Sequence, residues 1–366
     1  MTAGEREAIV LATNRSAPIE PVVTDDLRVE REVGVSAEWD RFVSMVDGST
    51  FCHLAGWERI MTDVLRHECL YLVAKDGRGS WRGVLPLVRV RSILGHYLVS
   101  LPFLNDGGPL GDEIARRRLV EHAVAEAQRS GAALLELRAR DALPGPVTAS
   151  NRKITVHLPL PESAEALWAR TFRAKLRSQI RRPIKEGMTA RCGPDELPPF
   201  YEVFARNMRD LGTPVLPRAF FERISSTFGE RVIFTAVYTA DGKPAATACA
   251  LMWRDEVEIV WASSLREYNR FSPNMLLYAH TMQESIARGA RLFNFGRCTP
   301  GGSTHKFKQQ WGGHEVPLPW PCWSRTGAAG TPSPDRPVFR LATAVWSRLP
   351  LRIANRVGPM LARHLP

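Results

Sequence analysis

The feature that most constrains this chain is that it repeats itself. In the first half, the apolar run Leu70-Tyr71-Leu72-Val73-Ala74 meets Asp76-Gly77 and continues as Gly83-Val84-Leu85-Pro86-Leu87. A loop and a helix then lead to Gly131-Ala132-Ala133-Leu134-Leu135-Glu136-Leu137-Arg138. In the second half, Val232 to Tyr238 meets Asp241-Gly242 and continues as Ala246 to Leu251, and a loop and a helix lead to Gly289-Ala290-Arg291-Leu292-Phe293-Asn294-Phe295. The Asp-Gly pairs stand 165 residues apart and the Gly-Ala pairs 158. A spacing of that size is a domain, not a solenoid repeat, so the expectation is two similar α/β (α+β) domains in tandem, each a strand, hairpin, helix, strand unit. The 366 residues, 44% of them apolar, suffice to fill two cores.

Helices are legible between the strands. Trp57, Ile60, Met61, Val64 and Leu65 mark one apolar face, Leu119, Val120, Ala123, Val124 and Ala127 a second, and Met275, Leu276, Ala279, Met282 and Ile286 a third. Gly131 and Gly289 each follow such a helix, where a left-handed residue closes the last turn. Ser163 is placed to cap a helix after the strand Asn151 to His157. These signals divide the chain into a disordered lead over 1–24, a first domain over 25–150, a second over 151–325, and a linker with a basic amphipathic segment over 326–366.

Several chemistries fall away on spacing. His67-Glu68 begins like a zinc-protease helix, but Tyr71 stands where its second histidine belongs, and no other cluster has metal-ligand spacing, so no metal and no bound cofactor is expected. Gly296 to Ser303 has the length of a phosphate loop with Gly302 in place of the lysine. Neither a GxSxG nor a GxGxxG sequence occurs. The six cysteines form no CxxC pair and read as reduced, mostly packed thiols of a cytoplasmic protein, with Cys298 the one worth holding open. The net charge of +11 favours polyanionic partners such as RNA, CoA phosphates or an anionic membrane without choosing among them.

Three segments remain as candidate sites. Arg170 to Arg191 sets eight basic residues against Glu186 alone; Arg170, Arg173, Arg177 and Arg181 recur at helical spacing, and Lys175, Arg177, Arg181 and Arg182 are the expected phosphate or RNA contacts, if the face is not simply solvated. Pro183 should kink or end that helix. After the strand Glu256 to Ala262, a polar loop opens a helix at Met275, and Arg266, Asn269, Ser272 and Asn274 are placed to hold a donor phosphate on its N-terminal dipole. Beyond the last strand, Arg297 and Lys308 could stabilise the oxyanion formed when an amine attacks an ester or thioester. His305 and Glu267 are the nearby groups suited to accept a proton.

Trp261 to Tyr278, Phe293 to Arg297 and Lys306-Phe307-Lys308-Gln309-Gln310-Trp311-Gly312 together resemble the FemAB-related proteins associated with PEP-CTERM and exosortase systems. So do Phe51 to Trp57, Asn105-Asp106-Gly107-Gly108-Pro109 and Asn207 to Pro214. The resemblance, spanning about residues 28 to 323, implies two tandem GNAT-like domains and kinship to N-acyltransferases and to enzymes that pass amino acids from aminoacyl-tRNA to cell-wall precursors. In FemX-type relatives a Phe-Lys pair acts at the reacting ester, and it looks like Phe307 and Lys308 here. The chain departs from those enzymes in having no coiled-coil tRNA arm between its halves, which leaves acyl-CoA and aminoacyl-tRNA both open as co-substrate. The implied activity is acyl or aminoacyl transfer to a small-molecule or glycan-linked amine in cell-envelope or exopolysaccharide metabolism. The other reading is an accessory protein that only binds a nucleotide- or lipid-linked sugar.

The segment from Arg336 to Pro366 carries six arginines and no acid, with Val338, Leu341, Val345 and Leu349 as an apolar stripe broken by Pro350. It suits peripheral contact with the inner membrane, or docking on the protein's own body or on a partner.

Overall fold

The computed structural model describes residues 26–34, 37–92, 95–327 and 337–364. The expected lead over 1–24 and most of the linker lie outside them. The first sheet contains β1 (Arg28–Glu32), β2 (Glu68–Lys75), β3 (Trp81–Ser92), β4 (Gly95–Val99), β5 (Leu110–Gly111) and β6 (Leu134–Glu136). Against it pack α1 (Ala37–Met45), α2 (Gly56–Arg59), which continues as a π-turn over Ile60–Val64, and α3 (Glu113–Arg129). The second sheet begins with β7 (Lys153–Pro159), followed by the one-turn α4 (Ala164–Ala166), α5 (Ala174–Lys185), β8 (Thr189–Cys192), α6 (Leu197–Asp210) and α7 (Arg218–Phe228). Then come β9 (Val232–Tyr238), β10 (Pro244–Trp253), β11 (Glu256–Ser264), α8 (Pro273–Ala287), β12 (Leu292–Asn294), α9 (Ser303–Gln309) and β13 (His314–Leu318). The chain ends with β14 (Cys322–Ser324), α10 (Pro337–Trp346) and α11 (Leu351–Ala362).

The repeat is real in three dimensions. The pairs β2–β3 and β9–β10 are antiparallel hairpins turning at the two Asp-Gly pairs, and α3 and α8 each lead into a strand that pairs in parallel with an earlier one, β6 with β4 and β12 with β11. Gly131 and Gly289 adopt φ of 71° and 91°, so each closes its helix from the left-handed region that glycine enters freely. All five apolar positions read for α3, and all five for α8, are buried. Ser163 accepts from the Ala166 amide at 3.2 Å, as a cap should.

One strand of the C-terminal half crosses back to the first sheet. The strand after β6 in sequence, β7, pairs with β12 and β13 of the second sheet, while β14, which follows the second domain, returns to pair with β6. An apolar seam completes the union. Trp57 lies 4.9 Å from Phe228, and Phe103 6.3 Å from Phe220, ring centre to ring centre. At roughly 1.5–3 kcal/mol for each large side chain withdrawn from water, this seam alone resists separation of the domains.

The basic segment is not one helix. The π-turn Leu167–Thr171 ends in an extended Phe172, and α5 starts only at Ala174, so Arg170 and Arg173 fall off the stripe that their spacing predicts. The cause is the buried Phe172 ring, which packs 5.6 Å from Trp311 and pulls the backbone out of the helix. Pro183 is tolerated inside α5, which ends two residues later.

Candidate active site

A cleft of about 640 Å³ opens where β11 and β12 part. Their parallel pairing covers only Glu256–Glu258 against Leu292–Asn294. Gly296 keeps the chains in touch one step further, with φ of 70° and so little room that a Cβ would lie 2.5 Å from the Ile259 carbonyl. Beyond that point the register of β11 on β10 slips at Val260, a bulge that swings the strand end outward. Ala262, Ser263 and Ser264 then form one wall of the cleft, and Ser303, Thr304, Phe307 and Gln310 another.

The start of α8 closes its floor. Ser272, at φ 60° and ψ 47°, holds a left-handed conformation that costs a non-glycine residue about 1 kcal/mol or more, and it supplies no side-chain cap to the helix that follows. Pro273 brings no N–H, so the helix start turns its dipole and the Asn274 amide toward the cleft. Asn274 is steadied by its side-chain bond to Ser264 Oγ at 3.1 Å. Phe307 packs 5.0 Å from Tyr278. Of the donor-site candidates, Asn269, Ser272 and Asn274 line this cleft together with Phe307. Arg266 does not; its guanidinium reaches the Asp210 carbonyl on the outside.

Gln179 of α5 also lines the cleft, and Lys175 and Arg182, four residues before it and three after, share its helix face. Both are exposed and make no ion pair among the described residues. Arg181 lies over the Trp168 ring at 5.0 Å, and Arg177 donates to the Phe172 carbonyl at 2.5 Å, so part of its guanidinium is spent on the local turn.

Lys308 sits behind Phe307 and does not line the cleft. Its ammonium donates to the carbonyls of Gly296 at 2.6 Å and Arg297 at 2.9 Å, which leaves one of its three protons. Burial lowers its pKa to about 8. Arg297 lies over the Trp320 ring at 5.4 Å, with Arg138 over the same ring at 4.9 Å.

The proposed proton acceptors are engaged. His305 Nδ1 accepts from the Gly301 amide at 3.0 Å, so its other nitrogen carries the proton and meets Glu315 at 2.9 Å. Glu267 is paired with Arg206 at 2.7 Å on the exposed rim. Cys298 is buried, and desolvation raises its thiol pKa, so it stays protonated.

What spacing did not reveal is a buried polar junction between the domains. Arg140, just past β6, donates to Asp106 at 2.6 Å and to both oxygens of Glu256, at 2.5 and 2.8 Å. Asn294 donates to Glu256 at 2.9 Å, and Asn105 to Glu258. Glu258 is fully buried; desolvation, and next the charge of Asp106, raise its pKa to about 8. Its second oxygen and Asp106 Oδ1 have no hydrogen-bond partner among the described residues. The available signal was Glu256-Val257-Glu258, two acids at alternate positions of a strand otherwise apolar, which only a buried partner can satisfy.

Residues 170–309 match the Acetyltransferase (GNAT) domain family. The chain is similar over its length to the crystal structure of FemX (TM-score 0.60, 13% identity, covering 86% of this chain and 100% of that one). It is similar to a tandem GNAT protein from the clavulanic acid biosynthesis pathway (0.53, 14%, 84% and 100%) and to L-PGS from Bacillus licheniformis (0.51, 12%, 87% and 99%). The fold is a tandem pair of GNAT domains. No curated protein matches the sequence. The family match runs from the π-turn before α5 to the end of α9, so the cleft and Lys308 both belong to the GNAT domain, while Asn105, Asp106 and Arg140 come from the first.

Proposed function

We propose that the protein is an N-acyl- or aminoacyltransferase that uses this cleft to pass an activated acyl group to an amine. The observation that carries the reading is the cleft itself, framed by the diverging ends of β11 and β12 and by the uncapped start of α8 within the GNAT domain. A donor phosphate is held at Ser272 and Asn274, with Asn269 beside them. Lys175 and Arg182, flanking Gln179, extend the positive surface outward along the donor. They suit the phosphates of an acyl-CoA or of an aminoacyl-tRNA end.

Transfer is direct. The amine lone pair forms the new C–N bond, the C–S or C–O bond of the thioester or ester breaks, and the amine proton leaves on the departing sulfur or oxygen. Phe307 shapes the wall beside the intermediate oxyanion; Lys308, behind it with one proton uncommitted, is assigned to stabilise that charge by turning past Phe307 into the cleft, with Arg297 as a second cation nearby. The resemblance of the sequence to the FemAB-related proteins favours an acceptor in cell-envelope or exopolysaccharide metabolism. Replacing Lys308 by Ala should lower turnover by roughly 10²-fold, the usual cost of one such donor, with circular dichroism unchanged. Full activity in that variant would remove Lys308 from the mechanism.

A further inference from the structure

The C-terminal helices bind the body of the protein by one face and leave the opposite face bare. Ala354, Gly358 and Ala362, spaced four apart on α11, are buried, and a Cβ on Gly358 would lie 3.0 Å from the Val215 backbone nitrogen. Small residues thus let α11 settle closely beside the end of α6. Arg209 of α6 donates to the Leu349 carbonyl at 2.9 Å, and His364 Nδ1 bonds the Arg91 carbonyl of β3 at 2.8 Å, so the helix reaches both domains. These contacts dock one face of the segment on the body, as one of the expectations for it had it. The part of the predicted stripe at Val338 and Leu341 lies outside the residues whose side chains are described.

The face turned away from the body carries Ile353, Val357, Met360 and Leu361, between 37% and 59% exposed, with Val345 of α10 at 55%. These are five of the nine large apolar side chains that are exposed among the described residues, gathered in 28 residues at one end of the chain. On the same outward half of α11, Arg352 and Arg356 are exposed; Arg348 is exposed just before it. From Pro337 to His364 there is no acidic residue. Exposed apolar side chains beside arginines free to meet anions are the composition of a helix that lies in a lipid interface. A second copy of the same chain would set arginine against arginine within a protein of net charge +11, so homodimer packing through this face is opposed by charge.

We infer that α10 and α11 form a docking surface for an anionic lipid bilayer, lying along it without crossing. No helix among the described residues is long and apolar enough to span a membrane. The surface also lies close to the cleft. Leu211, which lines the cleft and is half exposed, precedes Gly212, and a Cβ there would meet Thr343 of α10 at 2.2 Å. Seated on lipid, the protein would hold its cleft mouth beside the membrane. The inference stands whether or not the cleft transfers acyl groups.

The test is flotation of the purified full chain with vesicles of phosphatidylcholine alone and of phosphatidylcholine mixed with phosphatidylglycerol, at low and high salt. The expected result is binding to the anionic vesicles only, weakened by salt. The variants Arg352→Glu with Arg356→Glu, and Ile353→Ser with Met360→Ser, should each bind about tenfold more weakly or worse, since each removes contacts to the interface. These side chains are exposed, so the variants keep the fold, which thermal melting verifies. Absence of binding to anionic vesicles would overturn the inference. So would equal binding by both variants, or self-association of the wild-type protein through this face without lipid, which would assign it to a protein partner.

Discussion

Replacing Arg140 by Leu tests whether the buried junction, and not only the apolar seam, couples the two domains. Arg140 reaches Asp106 from its Nε and grips Glu256 with two further nitrogens at 2.5 and 2.8 Å. Leucine would fill most of the volume but leave two buried carboxylates without a counter-charge, with the Glu258 carboxyl beside them. Breaking one side of a buried ion pair costs about 3–5 kcal/mol. The loss should depend on pH in a definite direction. In the wild type, burial pushes the Glu256 pKa up, but the Arg140 contacts outweigh it and hold the carboxyl below the usual range. Its contribution to stability is therefore present above the unfolded pKa and fades as pH falls. In the variant the Glu256 carboxyl rises above its unfolded value and that of Asp106, which burial already holds above the usual range in the wild type, rises further, so that penalty grows as pH climbs and vanishes in acid. The variant's penalty narrows the gap between the two proteins on going from pH 8 to pH 5, and the wild-type loss narrows it further only below the unfolded Glu256 pKa. Urea titrations followed by tryptophan fluorescence at those pH values measure it, and adding Asp106→Asn and Glu256→Gln to the leucine variant should recover most of the loss. A cost below about 1 kcal/mol at pH 8, the size of an exposed pair, or a gap that widens in acid, would refute the reasoning.

Three further outcomes are expected. Glu258→Gln should stabilise the protein at pH 8, by about 1 kcal/mol or more, and change little near pH 4.5: the raised pKa of Glu258 means that ionisation of the unfolded state drains stability as pH rises from about 4.5 to about 8, and glutamine removes that drain; chemical denaturation at the two pH values decides. Gly296→Ala should destabilise by roughly 1–3 kcal/mol, since its φ is 70° and the new Cβ meets the Ile259 carbonyl at 2.5 Å; a melting temperature equal to wild type would contradict the tight approach of β11 and β12. Lys308 loses its charge above a pKa of about 8, so turnover should fall on the alkaline side with a midpoint near that value, and the residual rate of Lys308→Met should lack the limb.

Much of the fold was legible because its signals are local and repeated. The two Asp-Gly turns, the three apolar helix faces and the glycines after α3 and α8 are set by backbone preference and periodicity alone. The strand crossover was not legible: β14 pairs with β6 from about 188 residues away, and nothing in the Cys322–Ser324 sequence states which sheet edge is free. At the site, the α8 start was legible because loop-to-helix chemistry is written in sequence order, whereas Phe307 was singled out by the resemblance to FemX-type proteins. Arg170 and Arg173 were misplaced because the tertiary contact of Phe172 with Trp311 overrides helical spacing. His305 and Glu267 looked available since their partners, Glu315 and Arg206, are brought up only by folding. Asn105, Asp106 and Arg140 belong to one domain and Glu256 and Glu258 to the other, so their junction exists only once the domains meet.

The central claim is that the cleft beside α8 is where an activated acyl group is handed to an amine. Its most direct test is amide formation, followed by mass spectrometry, from an acyl-CoA or an aminoacylated tRNA acceptor stem with a panel of primary amines, comparing the wild type with Ser263→Trp, in which the indole fills the cleft. An amide product is expected from the wild type and none above background from the tryptophan variant. Equal product from both would place the chemistry elsewhere; saturable donor binding by the wild type with no amide from any amine would make the cleft a binding site only.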